Sequence, residues 1–382
     1  MKKNVLIIIE GLYPPLTEVS GVKIIYKYLI EIARNYNLHI LTTISRKTIK
    51  NWKKWAHKQR TNNMYFHFIN TVKYDFHPLV RLSISKIPIY FKAQKIIKKY
   101  NISLIHEFSS VPALSIITQN YSRKFNIPVI YTISTVNNSV LGNLKYTFGI
   151  KELTLLTISG KTKYQKAQQI FPKYKNKIHF TPFGCENIKS NYKKSFLLKK
   201  YNLPNNKKIL TYIGPLEKRK GIHILLEALR NISNKFCLLV VTYGKGGLDD
   251  KFAKNLQKTK NKLENIEYKI IVGKENIADV FKVTDLFILP SISLQGTLAQ
   301  PLTLIEALYC KKNIIASDLK ENREILKNYR GVKMFKNKNP NDLNRCINQV
   351  LSKKFEKFSG NTESLLIDNQ VNKIIKLYKK IL

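Results

Sequence analysis

Short apolar runs alternate with longer amphipathic segments along the whole chain. In the first half, NVLIII, LHILTT, SLIHEF, PVIYTI and LTLLTIS read as strands; in the second, KILTYIG, FCLLVVTYG, EYKIIVG, DLFILPS and NIIASD do the same. Strands of this kind separated by helical segments predict an α/β fold, with parallel sheets covered by helices. Between the two sets runs HFTPFGCENIKSNYKKSFLLKKYNLPNNKK, punctuated by Pro182, Gly184, Pro204 and a polar cluster at 205–208. Such punctuation predicts a linker, with the boundary in 190–205. The last segment, VNKIIKLYKKIL, has helical spacing at Val371, Ile374, Ile375, Leu377, Tyr378 and Ile381. The predicted division is therefore residues 1–190, residues 191–365, and a C-terminal helix over 366–382 that is a candidate to pack back on the first domain.

Composition bounds what these domains do. A chain of 382 residues, 44% of them hydrophobic, is long enough for two domains with a core in each, which excludes a disordered protein. The opening MKKNVLIIIEG is basic, but its apolar run, Val5 to Ile9, stops at Glu10, short of a signal-peptide core. No apolar stretch approaches the ~20 residues of a membrane-spanning helix. Cys185, Cys237, Cys310 and Cys346 have neither metal-ligand spacing nor the density of a disulfide framework, which fits a reducing compartment and places the protein in the cytoplasm.

Charge changes the picture: 67 Lys and Arg stand against 24 acids, a net charge of +43. Such a field draws the chain toward anionic partners. Residues 46–100 hold fourteen Lys or Arg and one acid, Asp75, together with both tryptophans, in IKNWKKWAHKQR. Trp52 and Trp55, spaced i, i+3, share a helical face flanked by Lys53 and Lys54, the make-up of a helix lying on an anionic membrane surface at the inner face of the membrane. An ordinary surface helix with its tryptophans docked on the core is the equal alternative. No recognition helix, zinc finger or RNP-like aromatic motif points to specific nucleic-acid binding, and charge alone predicts only salt-sensitive, sequence-independent association.

In open α/β sheets, ligands bind beyond the carboxyl ends of the strands. In TYIGPLEKRKGIHILLEAL a strand ends at Ile213, Gly214 turns, and the basic triplet Lys218 to Lys220 precedes a helix that starts near Gly221. Cations and free amides at such a turn suit a phosphate. In AQPLTLIEALYC, Pro301 opens a second helix and leaves the amides of Leu302, Thr303 and Leu304 pointing outward along the positive end of the dipole. Glu306, on that helix, is suited to accept hydrogen bonds from two neighbouring hydroxyls, as on a ribose; the alternative is that it complements the helix dipole.

The run YIGPLEKRKGIHILLEAL, then DLFILPS, then PLTLIEALYCKKNIIASD resembles the nucleotide-sugar-binding half of glycosyltransferase family 4, from about 209 to 326. YPPLTEVSGVKIIYKYLIEIA is similar to the family's opening glycine loop and first helix, and SLIHEF and IPVIYTIS to its later strands. The resemblance implies a GT-B fold, two Rossmann-like αβα domains facing across a cleft, the first on the acceptor side and the second binding the donor. It also implies a retaining transfer of a sugar from a UDP-, GDP- or ADP-sugar to a lipid-linked or polysaccharide acceptor, with no cofactor and no metal. The absence of any Asp-x-Asp triplet agrees with the last point. Carried over residue by residue, Gly21 and Gly214 would admit the donor, Lys220 would neutralise the leaving diphosphate, Glu306 would hold the ribose, and the amides of Leu302, Thr303 and Leu304 would meet phosphate. His106, Glu107 and Ser134 become acceptor-side candidates.

The chain also departs from the family's pattern. Leu298 stands where the family usually has a second Glu, a role open to Gln295. Pro215 stands where an Arg is usual, with Arg219 near enough to substitute, and Ser134 where a His is usual; Ser20 replaces the first glycine of a pair. These departures keep a second reading open, a donor-binding partner subunit without activity.

Overall fold

In the computed structural model, the residues described are 2–9, 12, 20–44, 49–70, 87–108, 120–134, 153–230, 232, 236–242, 267–272, 276–294, 300–352 and 356–382. They form two units, Met1–Phe183 together with Asp368–Leu382, and Gly184–Leu294 together with Gln300–Ile367. The first boundary thus falls between Phe183 and Gly184, inside the predicted linker but ahead of 190–205. That stretch is not a tether: it forms the helix Lys194–Lys200, and Leu197, Leu198, Tyr201 and Leu203 are buried with Phe281, Phe287, Leu304 and Leu308 in the core of the second unit.

The first unit is built on seven parallel strands in the order β3-β2-β1-β4-β5-β6-β7: β1 Asn4–Ile9, β2 Asn37–Ile44, β3 Met64–Asn70, β4 Ile102–Phe108, β5 Val129–Ile133, β6 Leu155–Ile158 and β7 Ile178–Phe180. β1 is central and buried along its length after Asn4, and its register is Val5↔Leu38 on one side and Val5↔Leu104 on the other. Leu6, Ile8, Ile105, Tyr131 and Leu156 supply one face of the sheet and bury against Ile89, Ala93, Ile96 and Ile97 of the helix Ile87–Tyr100. The C-terminal helix Ile367–Ile381 serves the same unit, where Tyr378 is fully buried beside Tyr36, ring centroids 5.3 Å apart.

The second unit repeats the plan with six parallel strands in the order β10-β9-β8-β11-β12-β13: β8 Lys208–Ile213, β9 Phe236–Thr242, β10 Glu267–Val272, β11 Leu286–Leu289, β12 Asn313–Ser317 and β13 Val332–Phe335. In each sheet the strand order reverses beside the first strand of the unit, between β1 and β4 and between β8 and β11. That reversal opens a crevice at the carboxyl ends, because the connections leave in opposite directions there. β3, β7 and β13 are absent from the strands predicted above. All three lie at sheet edges, where a strand is covered less completely and its apolar run is interrupted, as in MYFHFIN and VKMF.

Candidate donor site in the second unit

The connection leaving β8 is held in an unusual path. Gly214 has φ +154° and its N–H donates to Val241 O at 2.9 Å. Tyr212 Oη donates to the carbonyl of Pro215 at 2.8 Å, so the proline that departs from the family's pattern is part of a fixed turn. The triplet 218–220 forms a single 3-10 turn ended by Gly221 at φ +73°. A Cβ on Gly221 would sit 1.8 Å from the Pro290 carbonyl oxygen, so backbone packs against backbone there and only glycine is accommodated.

Pro290 follows β11, the strand across the switch point, and the two connections are bonded directly: Ile292 N donates to Arg219 O at 2.9 Å. The next connections join the same assembly. Ser317 Oγ, at the end of β12, donates to Ser291 O; Asn322 Nδ2 donates to Ser317 O at 3.0 Å; and Asn337 Nδ2, beyond β13, donates to Ile292 O at 3.1 Å. These buried polar groups fix the floor of the crevice. They were missed in the sequence, although Ser317 ends β12 and Asn337 stands two residues past β13, the positions that mark them.

Two cations stand on this floor. Arg219 Nε pairs with Glu217 Oε2 at 2.6 Å, while its Nη1 is buried with no hydrogen-bond partner among the described residues. Lys220 is half-buried, and burial, with Arg219 next, lowers its ammonium to about 8 although Glu217 opposes the shift. An ammonium held below its ordinary range and a guanidinium N–H without an acceptor both favour an arriving anion.

From the β11 connection the chain leads to Pro301 and the helix Leu302–Tyr309. The Leu304 amide is not turned outward: it donates to Pro301 O at 3.0 Å, and the Leu304 side chain is fully buried. The short first turn, closed by a Pro301 that offers no side-chain cap, corrects that expectation. It leaves the amides of Leu302 and Thr303 as the pair without an acceptor inside the helix. Glu306 lies beyond the first turn, which contains no acid, so a dipole-complementing role loses its basis. Its charge adds to burial in raising Cys310 to about 12 and in raising Cys185, which places the carboxylate beside the segment that opens the unit. Tyr309 Oη, one turn further, donates to Asn187 Oδ1 at 2.8 Å. Gln295 and Leu298 lie outside the described residues.

In the first unit, Gly21 lies in the opening turn of the helix Ser20–Ala33 that follows β1. Ser134 is buried just past β5, its carbonyl accepting from Ser159 Oγ at 3.3 Å. Glu107 is fully buried one residue before the end of β4, and its charge, after burial and Tyr90, helps to raise the Tyr121 phenol. His106 is not available to an acceptor. It is fully buried, with Nδ1 bonded to Tyr378 Oη and Nε2 to Thr132 Oγ1, both at 2.6 Å, and burial lowers it to about 3. Side chains alternate across a strand, and the one that follows Ile105 points into the packing under the C-terminal helix.

Trp55 also differs from the membrane expectation. It is half-buried and packs on Tyr26 and Phe66, ring centroids 5.6 and 5.1 Å away. Lys53 and Lys54 are exposed on the helix Ile49–Lys58, while the side chain of Trp52 lies outside the described residues. Among the described residues no group of three or more His, Cys, Asp or Glu is placed to hold a metal ion, and no helix is long and apolar enough to cross a membrane.

The family model described as "Glycosyl transferases group 1" matches residues 193–364. The capsular polysaccharide biosynthesis glycosyltransferase CapH of Staphylococcus aureus is 26% identical over 259 residues, covering 64% of this chain and 67% of that protein. Among solved structures, a glycosyltransferase from Rickettsia africae superposes with a TM-score of 0.74 at 19% identity, covering 100% of this chain and 98% of the other. Anabaena HepE, in complex with UDP and glucose, does so with a TM-score of 0.68 at 15% identity, covering 99% of each. Residues 193–364, which carry Gly214, Arg219, Lys220 and Glu306, are thus similar to group 1 glycosyl transferases, and the chain as a whole has the fold of two Rossmann-like units found in these structures.

Proposed function

We propose that the protein is a retaining, metal-independent glycosyltransferase that moves a sugar from a nucleotide diphosphate donor to a lipid-linked or polysaccharide acceptor. The observation that carries this reading is the pair of cations at the β8–β11 switch point, Lys220 half-buried and Arg219 with an Nη1 that has no partner among the described residues, inside the segment that matches the family model. As the bond from the anomeric carbon to the diphosphate breaks, negative charge grows on the leaving oxygen. A fixed ammonium next to it stabilises that charge more than it stabilises the ground state. Glu306 holds the ribose hydroxyls, and Thr303 and Leu302 offer their amides to phosphate. UDP is the leading nucleotide because HepE, which shares the fold, is seen with UDP; CapH, named for capsular polysaccharide biosynthesis, supports a glycan acceptor.

Thermal unfolding with UDP, GDP and ADP tests this directly. A nucleotide at 100 times its Kd stabilises the folded chain by about 2.7 kcal/mol, a rise of roughly 5 to 10 °C for a unit of this size. No rise with any of the three overturns the reading. Sugar transfer or donor hydrolysis by the purified chain then separates an enzyme from a donor-binding subunit. Glu306→Gln is expected to weaken binding of the stabilising nucleotide by roughly ten- to a hundredfold, the loss of hydrogen bonds to a charged group, with little change in the unliganded Tm. Equal affinity in calorimetry removes the ribose role.

A further inference from the structure

The helix Ile87–Tyr100 carries a face that the fold leaves uncovered. Its apolar side, Ile89, Ala93, Ile96 and Ile97, is spent on the core of the first unit. On the other side Ile87 is 51% and Phe91 58% exposed, two large hydrophobic side chains one turn apart. Lys92, Lys95, Lys98 and Lys99 are exposed as well. At 100° per residue these six side chains fall within one arc of about 140°, and the helix contains no acid. An exposed aliphatic and aromatic pair whose charged neighbours on the helix are all lysines is unlike a solvated helix face, where charges of both signs are the rule.

We propose that this face docks on an anionic lipid surface, with Ile87 and Phe91 entering the headgroup region and the four lysines meeting lipid phosphates. Charge complementarity sets the sign of the partner, in a chain of net charge +43. The apolar pair sets its kind. A nucleic acid offers phosphate but nothing for Ile87, whereas a bilayer offers both within one helix diameter. The site lies on a different helix from the tryptophans, one whose exposed face carries Ile87 and Phe91 among lysines, while Trp55 is half-buried against Phe66. It does not depend on the reading of the donor site. If that reading also holds, docking keeps the first unit where a lipid-linked acceptor diffuses.

The test is sedimentation of the full chain with vesicles of phosphatidylcholine alone and of phosphatidylcholine with phosphatidylglycerol, at low and high salt. Binding to the anionic vesicles is expected, with release as salt rises. Each lysine near an anionic leaflet adds roughly fivefold to the partition, so replacing all four with Gln is expected to lower it several hundred-fold. Phe91→Ser with Ile87→Ser, both at exposed positions, is expected to lower it at least tenfold. Lys53→Gln with Lys54→Gln, on the other basic helix, is expected to change it by no more than the loss of two diffuse charges. No binding by the parent at low salt overturns the proposal, as does binding that survives in the Phe91 and Ile87 double variant. Equal loss in the Lys53 and Lys54 control also overturns it, because net charge alone would then be at work. Tighter binding to double-stranded DNA than to the anionic vesicles, indifferent to Phe91, would assign the face to nucleic acid instead.

Discussion

Replacing Lys220 with alanine is expected to lower kcat by two to three orders of magnitude while raising the donor KM only a few-fold. The magnitude is that of removing one fixed donor from a developing oxyanion, roughly 10² to 10³ in rate. The split follows from timing, because the charge that Lys220 opposes is larger in the transition state than in the bound donor. Burial lowers this ammonium to about 8, so in the free protein it is charged below that pH and neutral above it. kcat/KM should therefore fall as pH rises through about 8. In Lys220→Arg, which stays charged, that limb should disappear even where the overall rate is reduced. Stability should move the other way. A lysine whose folded value is depressed disfavours the folded state while it is charged, and this penalty fades as pH rises from about 8 toward the ordinary lysine range. At neutral pH Lys220→Met should thus unfold at the same or a higher temperature than the parent. A variant with unchanged kcat and a raised KM would show that Lys220 binds without acting on the reaction.

Acidification is expected to destabilise the first unit more than the second, where burial lowers a single histidine, His223, among the described residues. Two buried histidines, His39 and His106, and the half-buried His67 lie in the first unit. His39 Nδ1 and His67 Nε2 are 3.2 Å apart, and both side chains are lowered to about 4 by burial, His67 further by the neighbouring His39 and by lysines. His106, lowered to about 3, is held between the Tyr378 and Thr132 hydroxyls. Each folded value lies below the ordinary histidine value of about 6.5, so the unfolded chain binds the proton first. The stability these neutral side chains contribute is complete above pH 6.5 and is lost as pH falls toward 4, by about 1.4 kcal/mol per pH unit for each. Between pH 6.5 and 5 the three together remove at most on the order of 5 kcal/mol, and His67, only half-buried, contributes less. Calorimetry at pH 7 and pH 5 should show one transition moving down by roughly 10 °C and one moving less. Transitions that shift together would mean that the histidines are not the cause.

Much of this architecture can be read from the chain, because central parallel strands are covered on both faces and must be apolar throughout. NVLIII and DLFILPS declare themselves in that way. β3, β7 and β13 do not, since an edge strand needs only half its side chains buried. The division at Phe183 is obscured for a related reason: FLLKKYNL looks like a polar connection with scattered leucines until Phe281 and Phe287 provide the surface that buries them. In the donor site, glycine and charge are visible in sequence. Gly214, Arg219, Lys220 and Gly221 announce a tight basic turn, and the turn is there. What sequence leaves open is which polar atom reaches which. Nothing in the letters ties Ser317 to Ser291 or commits the Leu304 amide to Pro301, because these depend on how neighbouring connections lie against one another. His106 shows the converse, a chemically suggestive side chain at a strand's carboxyl end whose alternation turns it into the core.

The helix that closes the first unit is encoded after the whole of the second. Tyr378 covers His106, and Asp368–Leu382 belong with residues that precede them by nearly the length of the chain. On the ribosome, therefore, the order of synthesis is not the order of completion. The second unit has all of its described strands in hand while the first still presents an open apolar flank at Tyr36 and His106. A nascent first unit keeps this flank uncovered until Tyr378 emerges.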